Sequence, residues 1–489
     1  MKMLRHLVPW VTALVLVLLS GGCAAPMDAS KSLSRSVIRS GGIVDADQIR
    51  VAEYLNYYEQ RFPEPTTTTL GLDLRLGNGT APATGGDAWL QIGVQAKSAR
   101  PEEIAPLTLA LVIDCSGSMA DAGKMDWVKR SLHVFLNSLA ANDQVTLIGY
   151  SDDAWRIESM RTVGDGAWIA AAIDRLEPTA STNLYSGLML GLREVDRRYD
   201  PARNNRVILL TDGIANVGVT DPQAIAADAR VYNDRGIYLA TIGLGHDVND
   251  ALLSELAIQG KGPYHFIDSA QEMDKVFRKD ALGLMAKVAA NVSVSIRPAP
   301  GVQIMDVTGF EGTLPSGPVQ VSLRDLAPAD NQVLLVRLRL APDAPGQMPL
   351  VAVELSYDNL NASRREVLAS DTQIFRAHVS AYDPLLDAEV LRNVTIQRSA
   401  EGLKEISRLA DEQRYVDAWR LAHDLEEALR RVAELTGDEQ MVNDAEMMVR
   451  YQHTLAQWMP EEPRSDRERS QPTRFYRGGA ATPPVIEIK

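Results

Sequence analysis

Cysteine is nearly missing from this chain: Cys23 and Cys115 are the only two in 489 residues. That scarcity excludes a disulfide framework and leaves Cys115 as a small buried hydrophobe. Basic charge is also short, with 50 Lys and Arg against 64 Asp and Glu and a net charge of −14. A surface of that sign repels phosphate backbones, which argues against nucleic-acid binding. Low-complexity blocks are absent, and 45% hydrophobic with 23% charged residues is an ordinary globular composition. The apolar run Leu7–Leu19 rises only about 20 Å as a helix, too short to span a bilayer core. What remains is a chain too long for one core, with about two to four domains expected.

Lys2, Arg5 and His6 precede the apolar run, so residues 1–23 read as a signal peptide. It ends in Ser20-Gly21-Gly22-Cys23-Ala24-Ala25, which resembles a bacterial lipobox. Ser20 stands where Leu is usual, and Leu19 lies one step earlier. The resemblance implies a diacylglycerol on Cys23, and Ala24 after it resembles the outer-membrane sorting pattern of Gram-negative lipoproteins. The expected place is therefore the bacterial cell envelope, lipid-anchored, at the outer membrane.

Residues 24–45 are small and polar and read as a flexible tether. Residues 46–105 read as a helix and strands. Val51, Tyr54, Leu55, Tyr58 and Phe62 recur at helical spacing until Pro63 and Pro65. Strands follow over Thr66–Leu76 and Ala88–Val94, around a Gly-rich turn. Between 106 and 285, short apolar runs alternate with amphipathic segments: Leu107–Ile113, Val145–Tyr150, Arg206–Thr211, Ile237–Ile242 and Tyr264–Ile267. This predicts an α/β, Rossmann-like, doubly wound and mostly parallel sheet. Residues 286–380 alternate as strands and predict a β-sandwich. The strands before residue 100 need partners, so the α/β domain is expected as an insertion into that sandwich. Residues 381–459 read as a helical region, and the polar tail 460–489 as disordered.

The chemistry lies at strand ends. Leu107–Ile113 runs into Asp114-Cys115-Ser116-Gly117-Ser118, an Asp-x-Ser-x-Ser at the carboxyl edge, where open α/β sheets bind ligands. Thr182 sits in a polar loop before a helix, and Arg206–Thr211 ends in Asp212. Two carboxylates and three hydroxyls, with no His or thiolate, make a hard oxygen site. Mg²⁺ suits it best, with Mn²⁺ or Ca²⁺ possible, and it is a poor zinc site. Neutral hydroxyl ligands leave the cation residual positive charge, so an outside carboxylate could displace a bound water.

Asp114, Ser116, Ser118, Thr182 and Asp212 together resemble the metal-ion-dependent adhesion site (MIDAS) of von Willebrand factor A (vWA) domains. The run Thr241-Ile242-Gly243-Leu244-Gly245 resembles a late strand and turn of that family, while Ala180 stands where Gly is common. The resemblance implies direct ligation by Ser116 and Ser118, and by Thr182 directly or through water. It implies that Asp114 and Asp212 act mainly through bound waters. The signal, the Val51–Tyr58 helix and this domain also resemble bacterial YfbK-type lipoproteins.

Other chemistries fit less well. Asp-x-Ser-x-Ser alone could be a helix cap. Ser116 and Ser118 lack a Gly-x-Ser-x-Gly elbow, and His246 is the one candidate base near that edge. Gly117 to Lys124 evokes a phosphate loop, but its glycine spacing is one residue too long and Met125 replaces Ser or Thr. The reading is a non-enzymatic, envelope-anchored protein whose MIDAS cation engages an Asp or Glu of a protein partner. The alternative is an accessory factor for assembling or remodelling an envelope complex. A metal-dependent hydrolase ranks last, because no further residue is evidently placed as a base.

Overall fold

The computed structural model describes residues 29–99, 104–179, 181–245, 248–270, 273, 276–277, 287–310, 313–315, 317–377 and 387–459. The proposed signal peptide with Cys23, residues Ala180 and His246, and the tail from 460 lie outside them.

The chain starts with helices α1 (Ala29–Arg39) and α2 (Val51–Tyr57), then strands β1 (Leu70–Leu76), β2 (Thr80–Pro82) and β3 (Gly86–Ala96). The α/β section follows: β4 (Leu107–Asp114), α3 (Lys124–Leu136), β5 (Gln144–Tyr150), β6 (Ala154–Thr162), α4 (Ala167–Asp174) and α5 (Leu184–Asp196). It continues with β7 (Asn204–Thr211), α6 (Pro222–Asn233), β8 (Tyr238–Leu244), α7 (Asp250–Gln259) and β9 (Lys261–Ile267). Its six strands run in the order β6-β5-β4-β7-β8-β9. All neighbours are parallel except the β5–β6 hairpin. The alternating apolar runs did not reveal β6, because its exposed residues carry too little apolar pattern. Apolar cores cover both faces of the sheet, one against Val128, Leu132 and Phe135 of α3 and the other against Leu188, Leu192 and Val195 of α5.

Strands β10 (Ala289–Pro298), β11 (Val302–Val307), β12 (Val319–Ser322), β13 (Asn331–Leu340), β14 (Gly346–Asn359) and β15 (Arg364–Ala377) form the rest of the β structure. They combine with the early strands into two sheets, β1-β3-β13-β11 and β12-β10-β14-β15-β2. β3 pairs with β13 from Gly86↔Leu340 to Gln95↔Asn331. The α/β section is thus inserted between strands of one sandwich. Strand β13 is covered on both faces: Leu334, Val336 and Leu338 enter the sandwich core, while Val333 and Leu335 pack against helices. Asn56 of α2 bonds the Val333 backbone on that side, and the same helical core takes in three helices at the C-terminal end, Ala388–Asp411, Tyr415–Thr436 and Glu439–Ala456.

Two expectations need correction. From Ala29 on, residues 24–45 do not form a loose tether but begin with a packed helix. Ala29 and Leu33 of α1 join the α/β core, and Ile38 joins the helical core. Serines make this possible: Ser30 donates from its hydroxyl to the Gln48 carbonyl at 2.6 Å and from its N–H to Glu53 Oε2 at 3.1 Å. Composition alone reads such small polar residues as solvated, whereas here they let a helix lie close to its neighbours. The second correction concerns the helix expected to reach Phe62, since α2 stops at Tyr57. Tyr58 turns extended (φ −79°, ψ 144°), and its hydroxyl bonds to the Asp444 carboxylate.

Candidate metal centre

Sheet register puts the first layer of the site together. β4 pairs Asp114 with Tyr150 of β5 on one side and Ile113 with Leu210 of β7 on the other. Asp114, Tyr150 and Thr211 therefore sit side by side at the carboxyl ends of three adjacent strands. The chain runs from β4 to opposite sides of it, to β5 and later to β7, so this is the switch point where such sheets open a crevice.

Asp114 is fully buried. Its Oδ1 accepts from the Ser116 N–H at 2.8 Å. Its Oδ2 accepts from Thr211 Oγ1 at 2.8 Å and Tyr150 OH at 3.2 Å. Burial pushes its pKa up, the bonds from Ser116 and Thr211 pull it down, and nearby Asp212 pushes it up. A carboxylate offers about four lone-pair sites, and these donors take three. Asp114 is thus suited to fix the loop and to orient water rather than to wrap a cation.

Asp212 forms the second layer with the two serines. Its Oδ1 accepts from Ser118 Oγ at 2.8 Å and Ser116 Oγ at 3.3 Å, and the two hydroxyls lie 3.1 Å apart. Its Oδ2 accepts from the Lys124 ammonium at 2.6 Å. Thr182 arrives from α5. Asn183 caps that helix by accepting from the Ser186 N–H at 3.1 Å, and its own N–H donates to the Ser151 carbonyl at 2.6 Å. The Thr182 N–H donates to Asn216 Oδ1 at 2.9 Å, tying its loop to the one after Asp212. A Cβ at Gly213 would lie 3.6 Å from Thr182 Oγ1, so that hydroxyl borders the Asp212 turn. Close packing of α5 makes this approach possible: a Cβ at Gly187 would come within 2.5 Å of Tyr150 Cδ1, and one at Gly191 within 2.5 Å of Val112 Cγ2.

The structure thus gathers Asp114, Ser116, Ser118 and Asp212 in one bonded cluster, with Thr182 alongside. Among the described residues no group of three or more His, Cys, Asp or Glu is arranged to hold a metal ion. The donors here are two carboxylates and hydroxyls, which fits a hard cation. Cys115 points away, buried, and burial pushes its thiol up to about 12. Tyr150, Thr211 and Lys124 support the site but did not stand out in the sequence. The one signal for Lys124 was its place at the end of the loop that resembled a phosphate-binding turn.

Residues 108–279 match the von Willebrand factor type A domain family. This stretch is a vWA domain. Domains of this family commonly mediate protein–protein contacts through a metal site. Escherichia coli YfbK, a protein called uncharacterized, is 29% identical over 270 residues, covering 54% of this chain and 47% of YfbK. Synechocystis sll0103, also called uncharacterized, is 27% identical over 315 residues, 62% of this chain and 74% of that protein. The chain thus spans about half of YfbK's length, at 47%. Among solved structures, a von Willebrand factor type A protein from Catenulispora acidiphila has a TM-score of 0.50 at 18% identity, covering 76% of this chain and 88% of that one. That likeness shows the shared fold.

Proposed function

We propose that this vWA domain holds a divalent cation, Mg²⁺ first, and uses it to engage an Asp or Glu of a protein partner. Asp114, Ser116, Ser118, Thr182 and Asp212 would hold the ion. Bound there, it supplies a positive centre with positions open to an outside carboxylate. The observation that carries this reading is the convergence of Ser116, Ser118 and Asp212 on one another above a buried Asp114 braced by three donors. Ile214, two residues past Asp212, is 57% exposed and offers apolar surface beside the site. An exposed apolar side chain next to a charged centre suits a protein partner, whose interface core needs both. We further propose that a lipid on Cys23 holds the protein at the bacterial envelope, in the outer membrane. The sequence pattern around that cysteine supports this.

The test is capture of envelope proteins with the full chain in Mg²⁺, in chelator, and with Asp114→Ala plus Asp212→Ala. Partners are expected with Mg²⁺ alone; equal retention under all three conditions would overturn the metal-bridged reading. Melting with Mg²⁺, Mn²⁺ and Ca²⁺ tests the ion itself, because an ion that binds the folded state raises its stability.

A further inference from the structure

Asp212 is held from two sides by opposite chemistries. Its Oδ1 faces the Ser116 and Ser118 hydroxyls, while its Oδ2 is fixed to the Lys124 ammonium at 2.6 Å. The Asp212 side chain has no exposure and that of Lys124 has 14%. In so sheltered a place a charge–charge bond is stronger than at an open surface. The backbone is built to present this lysine. Ala122 and Gly123 both take positive φ, at 51° and 71°, and Lys124 follows as the first residue of α3. Opposite, Gly245 at φ 79° ends the β8 turn, and a Cβ there would lie 3.5 Å from Lys124 Cε. Two loops therefore converge on one ammonium.

Resting on the metal reading above, we infer that Lys124 is a positioning residue that turns Asp212 toward the serines and keeps its carboxylate from neutralising the cation. The ammonium cuts the charge of the acid pair from two negatives to one, and it occupies the oxygen that a chelating carboxylate would need. A cation held this way is bound more weakly but keeps more of its own charge. The metal is traded for the partner: lower affinity for the ion, stronger pull on an incoming carboxylate.

The test is calorimetric titration of the full-length protein with Mg²⁺ and with Mn²⁺ alone. Wild type is compared with Lys124→Met, Lys124→Gln and Lys124→Arg. Removing the charge is expected to tighten metal binding about tenfold in the Met and Gln variants, a difference of about 1.4 kcal/mol. Lys124→Arg, which keeps the charge, should stay near wild type. Gln can still donate to Asp212 and covers the case in which Met disturbs the fold. If the lysine only props up the loop, the neutral variants bind metal equally or more weakly, and that result overturns the inference. A wild type that binds neither ion sinks the metal reading itself, a distinguishable outcome.

Discussion

Two buried carboxylates in this molecule each hold a lysine, and they illustrate opposite uses of one pairing. Asp212 and Lys124 sit at the edge of the vWA sheet, beside two hydroxyls and a partly exposed ammonium. Asp444 and Lys31 sit where α1 meets the last C-terminal helix, both almost fully buried. There the ammonium lies 3.8 Å from the Tyr58 ring centre, 5.4 Å from that of Tyr54 and 5.5 Å from that of Tyr57. Asp444 also accepts from Tyr58 OH, and its other oxygen accepts from Gln440 Nε2 at 3.2 Å. Burial pushes the Lys31 ammonium below its usual range while Asp444 pulls it back. The second pair is sealed inside the protein, with both side chains almost fully buried, so it locks. The first pair borders hydroxyl oxygens that can turn to another cation, so it can serve a site.

The largest effect should come from breaking the lock. Lys31→Met strands a buried carboxylate and should cost about 3–5 kcal/mol, while Lys31→Met with Asp444→Leu should recover most of it. Hydrogen exchange at the α1 amides measures this directly, because α1 opens first if the pair holds it. Exchange unchanged in the single variant would show that packing of Ala29, Leu33 and Ile38 suffices.

Next comes the contact that seats α5 against the sheet. Gly187→Ala places a methyl against the Tyr150 ring and should cost about 1–3 kcal/mol through overpacking. Tyr150 braces Asp114, so the same variant should also shrink the Mg²⁺-induced rise in melting temperature. A destabilised variant with its full metal response would separate helix packing from site geometry. A smaller change is expected for Thr211→Val, about 1 kcal/mol, since Asp114 loses one of three donors and keeps two. Thermal melts against Thr211→Ser, which retains the hydroxyl, isolate that bond.

The comparison also explains what could be read in advance. The site residues follow strand ends in a doubly wound sheet, so local pattern and chain direction alone place Asp114, Ser116, Ser118, Thr182 and Asp212 on one edge. The fold class followed from the same alternation of apolar strands and amphipathic segments. The lock was illegible: Lys31 and Asp444 are 413 residues apart, and the serines of α1 mask the short Ala29, Leu33 and Val37 stripe that seats it. Lys124 fell between these cases. It is visible as the end of a glycine-containing loop whose spacing does not fit a phosphate, but its partner Asp212 arrives from another strand, so the loop alone does not show the pairing.

The smallest expected effect is none, and it tests whether the two pairs act independently. Cys115 lies between Asp114 and Ser116 with its side chain in the core, and its thiol is pushed up to about 12 by burial. At pH 8 almost no thiolate forms, so iodoacetamide should leave this cysteine unlabelled in the folded protein. Lys31→Met should not change that, because α1 packs against the opposite face of the sheet from Cys115. Labelling of Cys115 accelerated by Lys31→Met would mean that releasing α1 loosens the Asp-x-Ser-x-Ser turn. The lock would then govern the site, and the division between a sealed pair and a serving pair would have to be given up.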